Sequence, residues 1–246
     1  MKKILILGAN SAIAKAAARQ WAARPNHQLF LVGRDSNKLT ALATDLKVKG
    51  NPHIYTLAAD LTDTSRHESI ISDALAHLGG IDLVLIAHGQ LGDQKSAEAS
   101  WTETHKILDV NFLSPASLLT VLANYFEPKK SGHIAVITSV AGDRGRAQNY
   151  VYGTAKGGLS IFLSGLRNRL HSAGVQVTDL RLGFVDTPMT THYKKGALWA
   201  SPETAASGIL AAIDSRRDIA YLPWFWCWIM LVIRNIPEKI FKRMRI

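Results

Sequence analysis

KILILGANSAIA, residues 3–14, decides the fold. The run ILIL is four apolar residues without alternation, and Gly8-Ala-Asn-Ser separates it from an alanine-rich amphipathic stretch. A short apolar run closed by glycine reads as a strand buried on both faces. A glycine turn opening directly into a helix presents backbone N–H groups at the helix N-terminus, where an anion is held. The spacing G-x-G-x-x-G is incomplete: only Gly8 is present, and Ala12 and Ala14 stand where glycines recur. Taken alone, the turn is equally consistent with an ordinary strand-to-helix connection capped by Ser11. The stretch follows Met-Lys-Lys and superficially looks like a secretory leader. The apolar core of a leader runs to roughly 7–15 residues, so a strand is expected instead.

Outward from this unit, further short apolar runs recur: QLFLV (28–32), HIYTL (53–57), DLVLI (82–86), HIAVIT (133–138) and VQVTDLRL (175–182). Amphipathic segments lie between them, at 12–24, 37–47, 65–78, 98–126 and 151–172. Unbroken alternation of strand and helix predicts an α/β fold, a single Rossmann-type doubly wound parallel sheet with helices on both faces. No repeat or linker divides the chain. The expected organisation is one nucleotide-binding catalytic domain over 1–220 and an amphipathic extension over 221–246.

The chain has 246 residues, 47% of them hydrophobic, enough to bury a core without covalent staples. A formal net charge of +10 favours anionic partners. No basic run interleaved with aromatics is present, so nucleic acid is not an expected partner. The single cysteine, Cys227, allows no intrachain disulfide and suits a reducing, cytoplasmic setting. The nine histidines show no metal-ligand spacing, and no metal site is expected.

The second strand ends in GRDS, residues 33–36. Dinucleotide folds that prefer NAD place an acid near this position, to hold the ribose hydroxyls. Here Arg34 follows Gly33, and an arginine suits a 2′-phosphate. Asp35 or Ser36 is read as the cap of the next helix, so NADP(H) is the expected cofactor.

In NYVYGTAKGG, residues 149–158, Tyr152 has Lys156 four residues on, and Ser139 lies upstream in ITSVAG. Positions four apart share a helix face. A neighbouring ammonium is expected to draw a phenol down from ~10 toward neutrality. A serine nearby can bond a carbonyl oxygen as it gains charge.

These motifs, taken in order, resemble the short-chain dehydrogenase/reductase family over roughly residues 3–215: GANSAIA, AADL, AHG, VNFLSPASL, ITSVAG, YGTAK and LGFVDTPM. The resemblance implies that Tyr152 is the acid/base group, flanked by Lys156 and Ser139, with Asn111 completing a tetrad through a local helix distortion and a water. It implies cofactor contacts from Gly8, Asn10, Ser11, Ile13, Arg34, Asp60, Leu61, Ala87, Gly89, Tyr152, Lys156, Val185 and Thr187. Asp60 would lie near the adenine and Thr187 near the nicotinamide. The chain departs from the family at the alanines of the first turn, at His88 in AHG, and at Leu182-Gly183 in place of Pro-Gly. His88 is expected to be a structural hydrogen-bonder, and the loop after Gly183 to differ in shape.

The tail, YLPWFWCWIMLVIRNIPEKIFKRMRI (221–246), opens apolar and aromatic and closes basic. It is too short to span a bilayer, which takes about 20 apolar residues. An interfacial anchor or a lid over an apolar site is expected, with a dimer contact or a core-packing segment as the alternative. The tail and the variant turn loosely resemble decaprenylphosphoryl keto-sugar reductases. The expectation is a ketone reductase at the inner membrane face, binding a small-molecule or lipid-linked ketone, touching anionic lipid peripherally and forming a homo-oligomer. The alternatives are a reductase of soluble steroid- or acyl-type ketones and a non-catalytic NADP-binding scaffold or sensor.

Overall fold

A computed structural model of the chain describes residues 2–24, 27–51, 53–191 and 193–244. The six apolar runs become strands: β1 Lys3–Leu7, β2 Gln28–Gly33, β3 Ile54–Ala58, β4 Leu83–Ile86, β5 His133–Ser139 and β6 Gln176–Leu182. A seventh, β7 Ile219–Leu222, pairs with β6. The sheet order is β3-β2-β1-β4-β5-β6-β7, and every neighbouring pair is parallel.

The helices are α1 Ala12–Ala22, α2 Ser36–Val48, α3 His67–Leu78, α4 Gln94–Ala99, α5 Trp101–Leu108, α6 Ser114–Lys129, α7 Tyr150–His171, α8 Pro202–Asp214, α9 Trp226–Asn235 and α10 Glu238–Phe241. Ile4 and Ile6 of β1 pack on one layer with Ala14 of α1, Leu39 of α2 and Ile209 of α8. Leu5 and Leu7 point the other way, to Ile70 of α3, Leu122 of α6 and Leu163 of α7. Both faces of β1 are therefore covered, which is why ILIL shows no polar alternation.

The sequence pattern and the structure differ in three places. The segment expected as one helix over 98–126 is broken. Ser100 is extended at φ −141°, and its side chain accepts the Glu103 N–H to start α5. A π-turn, Asp109–Leu113, then joins α5 to α6. Helix α8 and strand β7 do not stand out in the pattern. Ser201 caps α8 by accepting the Thr204 N–H, with Pro202 in the first turn and Glu203 beside it, a start signal in plain sight. Strand β7 has only four residues before Pro223, too few for periodicity to register.

The tail folds back on the body. Trp226 and Met230 are buried against Val140, just beyond the end of β5. The Arg144 guanidinium donates to the Ile233 and Ile236 carbonyls at 2.6 Å each, pairs with Glu238 at 2.9 Å, and lies 3.6 Å over the Phe241 ring. One arginine thus satisfies carbonyls at the end of α9, which have no partner within the helix. Arg245, one of the tail's basic residues, lies outside the described residues. Among the described residues one stretch is long and apolar enough to cross a membrane, Trp101–Lys129. Its Leu118, Leu122 and Phe126 belong to the core.

The strand order reverses between β1 and β4, so the loops after them diverge and open a crevice at the carboxyl edge of the sheet.

Candidate active site

A cleft of about 650 Å³ occupies that crevice. Its floor begins at the β1–α1 turn. Gly8 has φ +93°, and a Cβ there would meet the His88 backbone nitrogen at 2.5 Å. Only glycine allows this turn and this approach. Ser11, at the N-cap of α1, makes no side-chain cap bond. Gly8, Asn10, Ser11 and Ile13 all line the cleft. Ala14, by contrast, is buried in the core.

Asn10 ties this turn to the end of β2. Its Oδ1 accepts the Asp35 N–H at 3.0 Å and its Nδ2 donates to the Asp35 carbonyl at 3.3 Å. A Cβ at Gly33 would lie 2.3 Å from Asn10 Oδ1, so glycine is needed for the amide to fit. The Asp35 carboxylate accepts the Lys38 N–H at 3.0 Å as the cap of α2 and pairs with the Lys38 ammonium at 2.9 Å. These bonds hold its pKa below the ordinary value. Arg34 is exposed and lines the cleft.

After β3, Asp60 and Leu61 form the next wall. Asp60 Oδ1 accepts from the Thr62 N–H and hydroxyl, which lowers its pKa. The Leu61 carbonyl accepts from Ser114 and lies 2.9 Å from His67 Nε2. Since the Ser114 proton is committed to Leu61, His88 Nε2–H donates to Ser114 Oγ, 2.9 Å away. Burial first, then Lys156, pushes the His88 pKa down to about 3, which leaves the ring neutral near pH 7. Ala87 and Gly89, on either side, line the cleft.

Ser139, Tyr152 and Lys156 converge at the other end. Tyr152 and Lys156 project from one face of α7, and Lys156 Nζ lies 5.9 Å from the Tyr152 ring centroid. Ser139 Oγ accepts the Ala141 N–H at 3.1 Å and lies within a hydrogen bond of the phenol. The first two turns of α7 press close on this loop: Cβ atoms at Gly153 and Gly157 would each come 2.8 Å from a carbonyl oxygen, of Ala141 and Gly142.

The phenol is not drawn down as the sequence spacing suggested. Burial pushes Tyr152 up to about 12, with Ser139 opposing. Burial also brings Lys156 down to about 8, with Asp179 opposing. The low dielectric that weakens the ammonium weakens the phenolate too, and desolvation wins. Tyr152 is a protonated donor across the neutral range.

Asn111 does not line the cleft; it is fully buried behind it, in the π-turn. Its Nδ2 donates to the Gln90 carbonyl at 2.8 Å and the Ile107 carbonyl at 2.9 Å, and its Oδ1 accepts the Gln90 N–H at 3.2 Å. The distortion frees a helical carbonyl and the asparagine takes it. A Cβ at Gly89 would lie 2.8 Å from Asn111 Oδ1 and 3.3 Å from Lys156 Nζ, so the loop after β4 bridges the two.

Val185 and Thr187 close the cleft beyond β6. Thr190 Oγ1 accepts the Thr187 N–H at 3.1 Å and donates to the Val185 carbonyl at 2.7 Å. Gly183 stands where the resemblance led to an expectation of glycine after proline. A Cβ there would lie 1.9 Å from Trp226 Nε1, so the tail's indole sets this requirement.

The residues fit a dinucleotide: a glycine turn that leads into the N-terminus of α1 at the cleft, an arginine and an aspartate at the ribose end, and a proton donor at the far end. Further wall residues were not singled out in the sequence: Arg146, Gln148, Asn149, Phe184, Met189 and Trp199. The one signal for the first three was position, since a loop joining Ser139 to Tyr152 cannot leave the site.

Fold and site together define a dinucleotide-binding α/β oxidoreductase. The chain belongs to the short chain dehydrogenase family, whose sequence profile matches residues 2–197. It is 32% identical over 241 residues to an uncharacterized oxidoreductase of Mycobacterium tuberculosis, covering 98% of this chain and 96% of that one. An uncharacterized oxidoreductase of Streptomyces coelicolor is 28% identical over 243 residues, covering 99% and 96%. Among solved structures, levodione reductase superposes with a TM-score of 0.80 at 19% identity, over 89% of this chain and 95% of that one. A variant of actinorhodin polyketide ketoreductase with NADPH superposes at 0.77 and 18%, over 86% and 90%. Such low identities carry the fold alone. The family binds NAD or NADP.

Proposed function

We propose that the chain is an NADPH-dependent carbonyl reductase acting on an apolar ketone. The observation that carries this reading is the Tyr152 phenol, kept protonated by burial and set beside Ser139 at the far end of the cleft. When bound, NADPH supplies the hydride. Ser139 and Tyr152 hydrogen-bond the ketone oxygen, and the Tyr152 proton passes to it as negative charge develops. Lys156 holds its place by donating to the Ile137 carbonyl at 3.1 Å and presents its charge below the phenol. The Asn111 amide fixes the Gln90 backbone at the cleft wall.

NADP(H) over NAD(H) is supported by Arg34, which lines the cleft, and by Asp35, whose carboxylate is spent on α2.

An apolar substrate is supported by the wall at the Tyr152 end, where Phe184 stacks on Trp199 at 5.2 Å and meets Trp226 edge-on. The outward tail side chains, Trp224 and Trp228, with Arg234, Lys239, Lys242 and Arg243 nearby, support contact with the cytoplasmic membrane face. A ketone carried on a lipid, a polyprenyl-linked keto sugar among them, fits both. Exposed Trp101 and Ile161, on the adjacent helices α5 and α7, support self-association.

The experiment is reduction of a ketone panel, soluble and lipid-linked, followed by oxidation of NADPH and separately of NADH. Turnover of at least one ketone with NADPH is expected. Cofactor binding without turnover of any would favour the scaffold.

A further inference from the structure

The loop between Ser139 and Tyr152 carries two arginines with opposite fates. Arg144 is saturated by tail carbonyls, Glu238 and the Phe241 ring. Arg146 lines the cleft with Ser139 and Tyr152 and forms no ion pair among the described residues. Its Nη2 donates to the Val140 carbonyl at 3.1 Å and touches Met230 sulfur at 4.0 Å. Its Nε–H is buried and has no acceptor among the described residues. The nearest acid, Asp143, is already held by Arg181 at 2.9 Å and by the Tyr221 hydroxyl at 2.7 Å. Burial lowers the Arg146 pKa, Asp143 opposing, yet a guanidinium stays charged in any protein. A cation half-withdrawn from water without a counter-charge is costly unless the site supplies one.

The cleft's charges reinforce this. Its lining holds Arg34, Arg146, Lys156 and Lys194 against one carboxylate, Asp60, at the opposite end. Arg146 is also rigidly placed. Its carbonyl accepts the Asn149 N–H at 3.0 Å, and the Asn149 carbonyl accepts the Gly153 N–H at 2.8 Å in the first turn of α7, the turn that carries Tyr152. A second cavity of about 230 Å³ meets the cleft at Gln148, Asn149 and Tyr152, leaving room for a substrate larger than its carbonyl.

We infer that Arg146 is a specificity residue that holds an anionic group, carboxylate or phosphate, of the ketone reduced at Tyr152. The inference rests on the reductase reading of the cleft. A planar guanidinium with unused donors recognises either oxyanion. The flanking aromatic wall takes the apolar part. The substrate class is then an anionic ketone with an apolar body.

The full chain and its R146Q and R146K forms are compared in two ways. First, binding of phenylphosphonate is measured by calorimetry with and without NADPH. Loss of a charge-assisted contact predicts weakening by about 10-fold or more in R146Q, with R146K between. Second, benzoylformate and its uncharged methyl ester are reduced with NADPH. KM for the acid should rise about 10-fold or more in R146Q while kcat, the ester's KM, NADPH affinity and Tm stay near wild type. Two results overturn the inference: phenylphosphonate binding equally to wild type and R146Q or to neither, or an equal loss on acid and ester with lowered Tm, which makes Arg146 a support for Val140. Failure of the reductase reading looks different, since NADPH would not bind or neither ketone would turn over, while the phosphonate arm still reports on Arg146.

Discussion

Lys156 Nζ lies 5.9 Å from the centre of the Tyr152 ring, one helical turn along the same face of α7, and both groups are shifted toward neutrality by burial. The pair is a neutral acid over a weakened cation, suited to giving a proton rather than taking one. Replacing Tyr152 with Phe removes the proton and little volume. Turnover is expected to fall by at least the ~10²-fold typical of losing a general acid, with cofactor affinity retained. Stopped-flow reduction and fluorescence titration of NADPH separate the two. Turnover near wild type would remove Tyr152 from the mechanism.

Lys156 gives a pH signature. Its pKa in the free protein, about 8, means the charge is present below that pH and lost above it. If that charge helps hold the cofactor, the Kd for NADPH is level below pH 7 and rises above pH 8. In Lys156→Met, binding is weaker and its pH dependence flat across this range. A wild-type Kd that does not change between pH 7 and 9 excludes the ammonium from cofactor binding.

Much of this site was legible in the sequence because it is built on regular elements. A strand end and a glycine turn place Gly8, Asn10 and Ser11, and helical spacing places Tyr152 over Lys156. Legibility ended where contacts join distant segments. Asp179 lies under Lys156 only because β6 pairs with β5, and the pairing of Arg181 with Asp143 at 2.9 Å, across two segments, is invisible in one dimension. Arg144 and Arg146 are two residues apart with similar local composition; what separates them is where the tail folds. The phenol's upward shift was missed for a related reason: spacing reports a neighbouring charge but not how much water has been removed.

On the proposed preference for NADP(H), Arg34, which lines the cleft, is the group that discriminates between the two cofactors. Arg34→Ala is expected to weaken NADPH binding about 10- to 100-fold, as for loss of hydrogen bonds to a charged group, and to leave NADH nearly unchanged. Kd values for both cofactors in both proteins check it. Unchanged preference in the variant would return the ribose to Asp60 and the backbone.

His133 makes the fold acid-sensitive. Thr178 gives its hydroxyl proton to the Arg217 carbonyl, so His133 Nε2–H donates to Thr178 Oγ1 at 2.8 Å. Burial brings its pKa from 6.5 to about 4. The unfolded chain therefore binds a proton at a pH where the folded one does not. The stability is fully present above pH 6.5 and is lost as pH falls through 6.5 toward about 4. Urea midpoints from pH 7.5 to 4.5 should fall, and fall less steeply in His133→Gln, which keeps a donor but cannot titrate. Equal slopes would exclude His133 as the cause.

The tail divides into an inward and an outward face, and the division fixes how membrane contact must be tested. Trp226, Met230 and Phe241 are buried, and Arg144 clamps the end of α9. Truncating the tail would strip core packing, at a cost on the order of 3–5 kcal/mol for the loss of one large aromatic side chain alone. Trp224 and Trp228 point outward at 70% and 62% exposure, so replacing both with Ser leaves that packing intact. Arg234, Lys239, Lys242 and Arg243 are exposed, each worth ~1 kcal/mol beside an anionic surface. The full chain is expected to co-sediment with anionic liposomes and not with neutral ones. Binding should weaken in salt, because part of it is Coulombic, and should drop sharply in the double Trp→Ser variant while Tm and turnover of soluble ketones hold. A wild type that ignores anionic liposomes ends the membrane reading. If the same two substitutions instead split an oligomer in analytical ultracentrifugation, the outward face is a contact between subunits, and the apolar substrate rests on the Phe184–Trp199 wall alone.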